Sequence, residues 1–256
     1  MSGNTPTFDR CQSFLKRFET FSETGHELFA NAAPYPNVVI DNLLDDQLIE
    51  SVLREYPERD DPIWQCYDDQ DIQIKTRTDW KNESDIPSDT RELVRALTSG
   101  RFLRALSKLT GIDNLISDPY LMGGGESSVF RGGTLDIHCD GNWHDAMAVH
   151  RRMNIILYFN KNWQESWNGQ LELWDKEMKG CVKKIAPINN RLVIFLTNDF
   201  TFHGHPQPLN CPEDESRKSL ILYYYTSRPR APEEIARVDP HRALWRNRGQ
   251  VVTSSK

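Results

Sequence analysis

Nowhere in the 256 residues is there an apolar run of about eighteen, so no transmembrane helix is expected. The start, from Met1 to Arg10, is polar and lacks the basic and apolar regions of a secretory signal. Cysteine is scarce: Cys11, Cys66, Cys139, Cys181 and Cys211 are widely spaced, odd in number and form no CxxC. That pattern speaks against a disulfide frame or a zinc site and reads as reduced thiols in a cytoplasmic protein. Basic excess is missing as well. The formal net charge of -6 argues against charge-driven binding to nucleic acid or anionic lipid. There is no internal repeat and no low-complexity tract.

What is present is a chain, 38% hydrophobic and 27% charged, long enough to bury one sizeable core. Phe14, Leu15, Phe18 and Phe21 recur at about one helical turn. Pro34-Tyr-Pro36 ends that pattern, and Asn37 to Asp41 comes next as a short strand. Asp45 to Tyr56 reads as an amphipathic helix with Leu48, Ile49, Val52 and Leu53 inward. Residues 59–85 are polar and weakly patterned, which predicts a long loop acting as a lid over a binding site. Lys75 or Arg77 in that segment is placed to meet an anionic group. Thr90 to Leu109 predicts one further helix, stopped by Gly111.

From Leu121 the character changes. Glycines cluster at 123–125 and 132–133, and short apolar strands come after them at 153–159, 170–174, 191–197 and 219–226. Short strands between Gly, Pro and Asn turns predict an antiparallel sandwich or jelly roll. The tail from Arg228, Pro-rich and then Arg-rich, reads as a surface helix. The expected plan is α+β, mainly β with helical N-terminal support. Residues 1–118 form the support, 119–228 the jelly-roll core and 229–256 a charged tail, all within one structural domain.

The chemistry concentrates in Leu135-Asp-Ile-His138-Cys-Asp140. Residues two apart on a strand face the same way, so His138 and Asp140 could hold one ion together. An imidazole and a carboxylate are two members of a 2-His-1-carboxylate set, which leaves positions open on Fe(II). A third ligand must come from a distant strand. Thr201-Phe-His203-Gly-His205-Pro succeeds the apolar stretch 192–196 and offers His203 or His205, which share a face. An isolated HxD is weak evidence, since a surface pair or an Asp supporting a structural His explains it as well. The residues downstream strengthen it by their order: Arg217-Lys-Ser219 opens the strand Leu220-Ile-Leu-Tyr-Tyr-Tyr225. A guanidinium fork and a hydroxyl on one face suit the far carboxylate of a dicarboxylic co-substrate. His144 and His150 read as solvated loop histidines, and Trp64, Trp80, Trp143 and Trp163 as loop packing.

The stretch from Gly132 to Thr226 resembles the 2-oxoglutarate/Fe(II) dioxygenases, and within them the prolyl-4-hydroxylase-like branch. Gly132-Gly133-Thr-Leu-Asp-Ile-His138-Cys-Asp140 is similar to that branch's GGxxxxHxD. Asn154-Ile-Ile-Leu-Tyr158-Phe-Asn160-Lys-Asn-Trp163 resembles its YLNxxW strand, and Asn190-Arg191-Leu-Val-Ile-Phe195 its NRLVxF strand. Asn168-Gly169-Gln-Leu-Glu-Leu-Trp174 is similar to its GGxLxLW turn, with Asn168 replacing the first Gly. Two departures stand out. Val129 and Phe130 lie where prolyl hydroxylases usually carry a Tyr before the GG, and the loop 206–215 makes the step from His203 to Arg217 longer than usual.

The resemblance implies a double-stranded β-helix of cupin-like form and an Fe(II) site of His138, Asp140 and His203, the His-Gly favouring His203 over His205. It implies that Arg217, Tyr158 and Ser219 hold the distal carboxylate of 2-oxoglutarate, and that Asn154 reaches the keto-acid end. It further implies O2 as oxidant, ascorbate as an accessory reductant, and release of succinate and CO2 as a C–H bond is hydroxylated. The second substrate is a small molecule, amino acid or peptidyl residue. Asp140 argues against halogenation, which needs that position vacant. Two other readings are a catalytically silent jelly roll used for binding or sensing, and a different metal-dependent cupin enzyme. The joint presence of His138, Asp140, His203 and Arg217 speaks against the first, and Arg217 with Tyr158 against the second.

Overall fold

Apolar residues one turn apart shape the first part of the chain into a helical layer. The computed structural model describes residues 6–69, 72–236, 239–247 and 250–253. Helix α1 (Thr7–Ser22) buries Phe14, Leu15 and Phe18, and α2 (His26–Ala30) contributes Phe29. After strand β1 (Asn37–Asp41) comes α3 (Asp46–Glu55). Asp45 caps α3 by accepting the Leu48 N–H at 2.7 Å.

The helix expected over 90–109 is two helices, α4 (Ser88–Thr98) and α5 (Gly100–Thr110). Ser99 between them is extended, with ψ 150°, and its hydroxyl accepts the Phe102 N–H at 3.2 Å. A serine that caps a new helix interrupts the old one without disturbing the apolar period, so the break was hidden. Gly111 closes α5 with φ 72°, the left-handed conformation a helix terminus favours.

Before α4 lie β2 (Trp64–Asp69) and β3 (Gln73–Thr78), where a loop was expected. They form a hairpin, and β3 bridges two strands of the main sheet, β5 (Gly125–Val129) and β6 (Thr134–Cys139), with Thr76 opposite Ser128 and Ile74 opposite Thr134. Its sequence, Gln-Ile-Lys-Thr-Arg-Thr, lacks an apolar alternation because Gln73, Lys75 and Arg77 face a polar cleft.

The other strands are β4 (Ile116–Ser117), β7 (Trp143–His144), β8 (Val149–Tyr158), β9 (Leu171–Trp174), β10 (Cys181–Ile185), β11 (Arg191–Leu196), β12 (His203–His205), β13 (Arg217–Thr226), β14 (Leu244–Asn247) and β15 (Gln250–Thr253). The main path runs β1-β11-β8-β13-β5-β3-β6-β12-β9-β10 with antiparallel neighbours, a sheet curled into a jelly roll. Alternation decides which side chains look where. On β8, Met153, Ile155 and Leu157 join the core shared with the helices, whereas Ile156 and Tyr158 join the interior of the roll. On β13, Leu220, Leu222 and Tyr224 point to the helices, leaving Arg217, Ile221 and Tyr223 on the inner face. The tail is not a surface helix over its described part: β14 pairs with β6, placing Leu244 opposite Cys139 and Trp245 opposite His138.

Candidate active site

His138 lies near the end of β6, Asp140 just beyond it, and His203 opens β12, whose pairing sets His203 directly opposite His138. The ligand atoms of these residues lie within 4.8 Å of one another. His138 Nε2 is 3.6 Å from Asp140 Oδ1, and His203 Nε2 is 3.5 Å from Oδ2. Each imidazole is oriented by a carbonyl: His138 Nδ1 meets Asp136 O at 2.9 Å and His203 Nδ1 meets Thr201 O at 3.0 Å. A carbonyl can only accept, so both Nδ1 atoms carry the proton and both Nε2 lone pairs face the centre. Burial drives His203 down to about 4, which keeps it neutral at pH 7. Burial pushes the Asp140 carboxyl up, but the Arg151 guanidinium beside it helps to hold it well below the usual range. Two imidazoles and a carboxylate on one side of a cleft are a donor set for a divalent metal with open positions.

His205 lies outside this group. A bulge between His203 and His205 breaks their shared register with β6, so His205 pairs with Leu135. It is buried, and desolvation with the nearby Arg217 and Lys75 cations drives its pKa far down.

At the inner end of the same cleft, of about 480 Å³, sits Arg217. Its Nε donates to Gly169 O and its Nη2 to the Tyr158 hydroxyl, each at 2.8 Å. Gly169, at φ 74°, suits a residue without a side chain, because a Cβ there would come within 2.5 Å of Leu209 Cδ2 and 3.2 Å of Arg217 Cδ. Asn168 before it has φ 62° and ψ -148°, outside the left-handed helical well and in a region that glycine enters most readily, so Asn stands here in place of a glycine at a cost in backbone strain. Ser219 shares this face, and its hydroxyl is buried with no hydrogen-bond partner. An orphaned buried hydroxyl beside a buried guanidinium fits a missing anionic ligand. Asn154, expected at the keto-acid end, lies at the triad end of the cleft: it donates its amide to Asp140 Oδ2, and its Oδ1 is left without a partner.

Of the other groups in the cleft, Lys75 or Arg77 had been expected to meet an anion, while Arg151 and Trp245 had not been singled out. Lys75 lines it near Arg217, and burial followed by the charge of Arg77 pushes its pKa down to about 8. Arg151 Nη1 stands 3.6 Å from Asp140 Oδ1, with its guanidinium 3.8 Å from the Tyr223 ring centroid. Strict alternation from Asn154 would have turned Arg152 this way. Instead β8 bulges where Tyr224 pairs with Met153 and Tyr225 with Arg151, which swaps the two arginines and sends Arg152 to Glu234 at 3.1 Å. Trp245 stacks against His138 with centroids 4.5 Å apart. His144 is not a solvated loop histidine: it is buried, and its Nε2 meets Asp118 at 3.1 Å. Trp64 and Trp80 pack in the helical core, while Trp163 and Trp167 meet edge to face at 5.2 Å.

Residues 126–225 match the model of the 2OG-Fe(II) oxygenase superfamily. The matched stretch runs from β5 through β13, the strands of the jelly roll. No curated protein matches the chain. Among solved structures, a prolyl-4-hydroxylase from Pseudomonas putida superposes with a TM-score of 0.56 at 15% identity, covering 84% of this chain and 100% of that one. A Trichoplax adhaerens prolyl hydroxylase, in complex with a hypoxia inducible factor peptide fragment, gives 0.54 at 18% identity over 88% of this chain and 94% of that one. A prolyl 4-hydroxylase from Phytophthora capsici gives 0.53 at 19% identity, covering 91% and 70%. At these identities the likeness is one of fold, and it extends beyond the oxygenase stretch into the helical layer. Among the described residues no helix is long and apolar enough to cross a membrane.

Proposed function

We propose that this 2OG-Fe(II) oxygenase is a hydroxylase that holds Fe(II) on His138, Asp140 and His203 and anchors 2-oxoglutarate on Arg217, Tyr158 and Ser219. The observation that carries the reading is one cleft lined by a ligand-ready triad and by the buried Arg217, whose guanidinium is bonded to Tyr158 behind it, with the unpartnered Ser219 hydroxyl two residues along the same strand. With O2, the bound iron and keto acid supply oxidative decarboxylation to succinate and CO2 and hydroxylation of a substrate C–H bond.

The chain's own part is orientation, charge and exclusion of water. Asp136 O and Thr201 O fix the imidazoles, and Asn154 and Arg151 fix the two carboxylate oxygens of Asp140. Arg217 is pinned by Gly169 and Tyr158, so its fork is set before a carboxylate arrives. Lys75 adds a second cation on the same wall. Ile156, Leu171 and Ile221 line the cleft between the two ends and keep it dry around the co-substrate's methylenes. The β2–β3 hairpin forms one wall of the mouth through Tyr67, Lys75 and Arg77, and we assign to it the choice of second substrate. Five free cysteines, three of them buried, support a reducing, cytoplasmic setting.

The test is oxygen consumption and succinate formation by the Fe(II)-loaded protein with ascorbate present. Turnover should require 2-oxoglutarate and vanish in Asp140→Ala. Succinate released at equal rates by the wild type and Asp140→Ala would dispose of the reading.

A further inference from the structure

Beyond Asp140 the cleft opens into an outer compartment of about 570 Å³, within the size range of small-molecule sites. The two compartments share Arg77, Asp140, Tyr223, Arg242 and Ala243, so a molecule seated in the outer one abuts the triad. Its charge is lopsided. Arg77, Arg151 and Arg242 line it, against Asp140 and the exposed Asp145. Asp140 is committed to the metal in the proposed function, which leaves Arg77 and Arg151 turned toward the compartment with positive charge to offer.

Arg77 and Arg151 are each held from behind. Arg77 Nη2 donates to Gln65 Oε1 at 2.8 Å and to the Tyr67 hydroxyl at 2.7 Å. Arg151 lies flat on Tyr223, with Tyr225 further off at 5.7 Å. Both keep a buried Nε that has no hydrogen-bond partner. Leaving such a donor unpaired is unfavourable, and a planar fork with an open edge is complementary to an oxyanion. Trp143, Tyr223 and Tyr225 supply apolar walls beside it.

We propose that the second substrate is an acidic small molecule whose carboxylate or phosphate is gripped by Arg77 and Arg151, with the C–H bond to be oxidised lying toward the Asp140 side. This rests on the oxygenase reading and narrows it: a neutral prolyl ring in a peptide would leave the open Nε edges of Arg77 and Arg151 unanswered. Binding fixes the substrate's distance from the triad and thereby selects which carbon is presented.

The experiment uses the full chain loaded with Mn(II) and 2-oxoglutarate and matched probe pairs: small carboxylic acids against their primary amides, and phosphate monoesters against the parent alcohols. Binding is read by saturation-transfer NMR, and succinate release is monitored in parallel on the Fe(II) protein. Losing a desolvated charge pair costs about 2 kcal/mol or more, so one of the anionic classes should bind about 30-fold tighter than its neutral partners. Which class does so identifies the oxyanion. Arg77→Gln, and independently Arg151→Gln with Mn(II) binding monitored, should shrink that ratio at least about tenfold. Anions that bind no better than their neutral partners, or a ratio unchanged in both variants, overturn the proposal. Failure of the wild type to bind Mn(II) or 2-oxoglutarate at all is a different result, and it sinks the oxygenase reading itself.

Discussion

Arg217 donates a 2.8 Å hydrogen bond to the Tyr158 hydroxyl across two neighbouring strands, and both side chains are buried. The register that pairs Tyr158 with Ser219 puts the third polar group of that wall beside them. If this wall receives the co-substrate, Arg217→Ala should raise the KM for 2-oxoglutarate about a hundredfold, the equivalent of losing about 3 kcal/mol of charge-assisted binding. Tyr158→Phe should cost less, about tenfold. Arg217→Lys should recover only part, because an ammonium cannot reproduce a fork held by Gly169 and Tyr158 at once. A 2-oxoglutarate titration unchanged in the alanine variant would remove the pocket from this wall.

The metal site makes a sharper distinction. Equilibrium dialysis should find about one Mn(II) per wild-type chain and none in His138→Ala or Asp140→Ala. Asn154→Ala, which removes an orienting donor from Asp140, should weaken binding by about 10 to 100-fold. His205→Ala should keep the metal. Retention in His203→Ala with loss in His205→Ala would reverse the assignment of the distal ligand.

Lys75 should write a pH dependence into co-substrate binding. Its pKa is pushed down to about 8, so it is charged at neutral pH and loses its proton as pH rises past that value. A dicarboxylate favours the charged form, so the KM for 2-oxoglutarate should climb above about pH 8 in the wild type. In Lys75→Met it should be higher at pH 7 and flat across the same range. Parallel profiles in the two proteins would show that Lys75 does not meet the co-substrate.

Glu126 predicts a pH effect on stability rather than on activity. It is wholly buried on β5, with one oxygen unpartnered, and burial raises its carboxyl from 4.5 to about 8. The folded protein therefore keeps a proton that the unfolded chain releases. Stability from this group is full below about pH 4.5, falls by about 1.4 kcal/mol per unit through the interval, and is gone above about pH 8. Glu126→Gln should flatten that slope in urea melts between pH 5 and pH 8, and an unaltered slope would show that Glu126 is ionised in the fold.

The parts of the molecule that obey one regular period could be read in advance, and the parts that depend on register could not. The apolar repeats of α1 and α3 and the spacing of His138 and Asp140 are local facts, visible in a single segment. Arg151 was hidden because a bulge, which leaves no mark in composition, exchanges it with Arg152. The β2–β3 hairpin was hidden because the face it shows the cleft is polar, so the usual alternation is missing. Trp245 looked like tail because its reason for being there lies on β6.

The stack of Trp245 on His138 carries a consequence for the order of assembly. β6 and the residue just past its end supply two of the triad members, but β12 and β14, which both pair with β6, come later in the chain. Contacts between segments so distant in sequence form slowly, because long loops must close before they are rewarded. The metal-binding edge should thus be among the last regions to gain hydrogen-exchange protection during refolding, well after the local helices α1, α4 and α5.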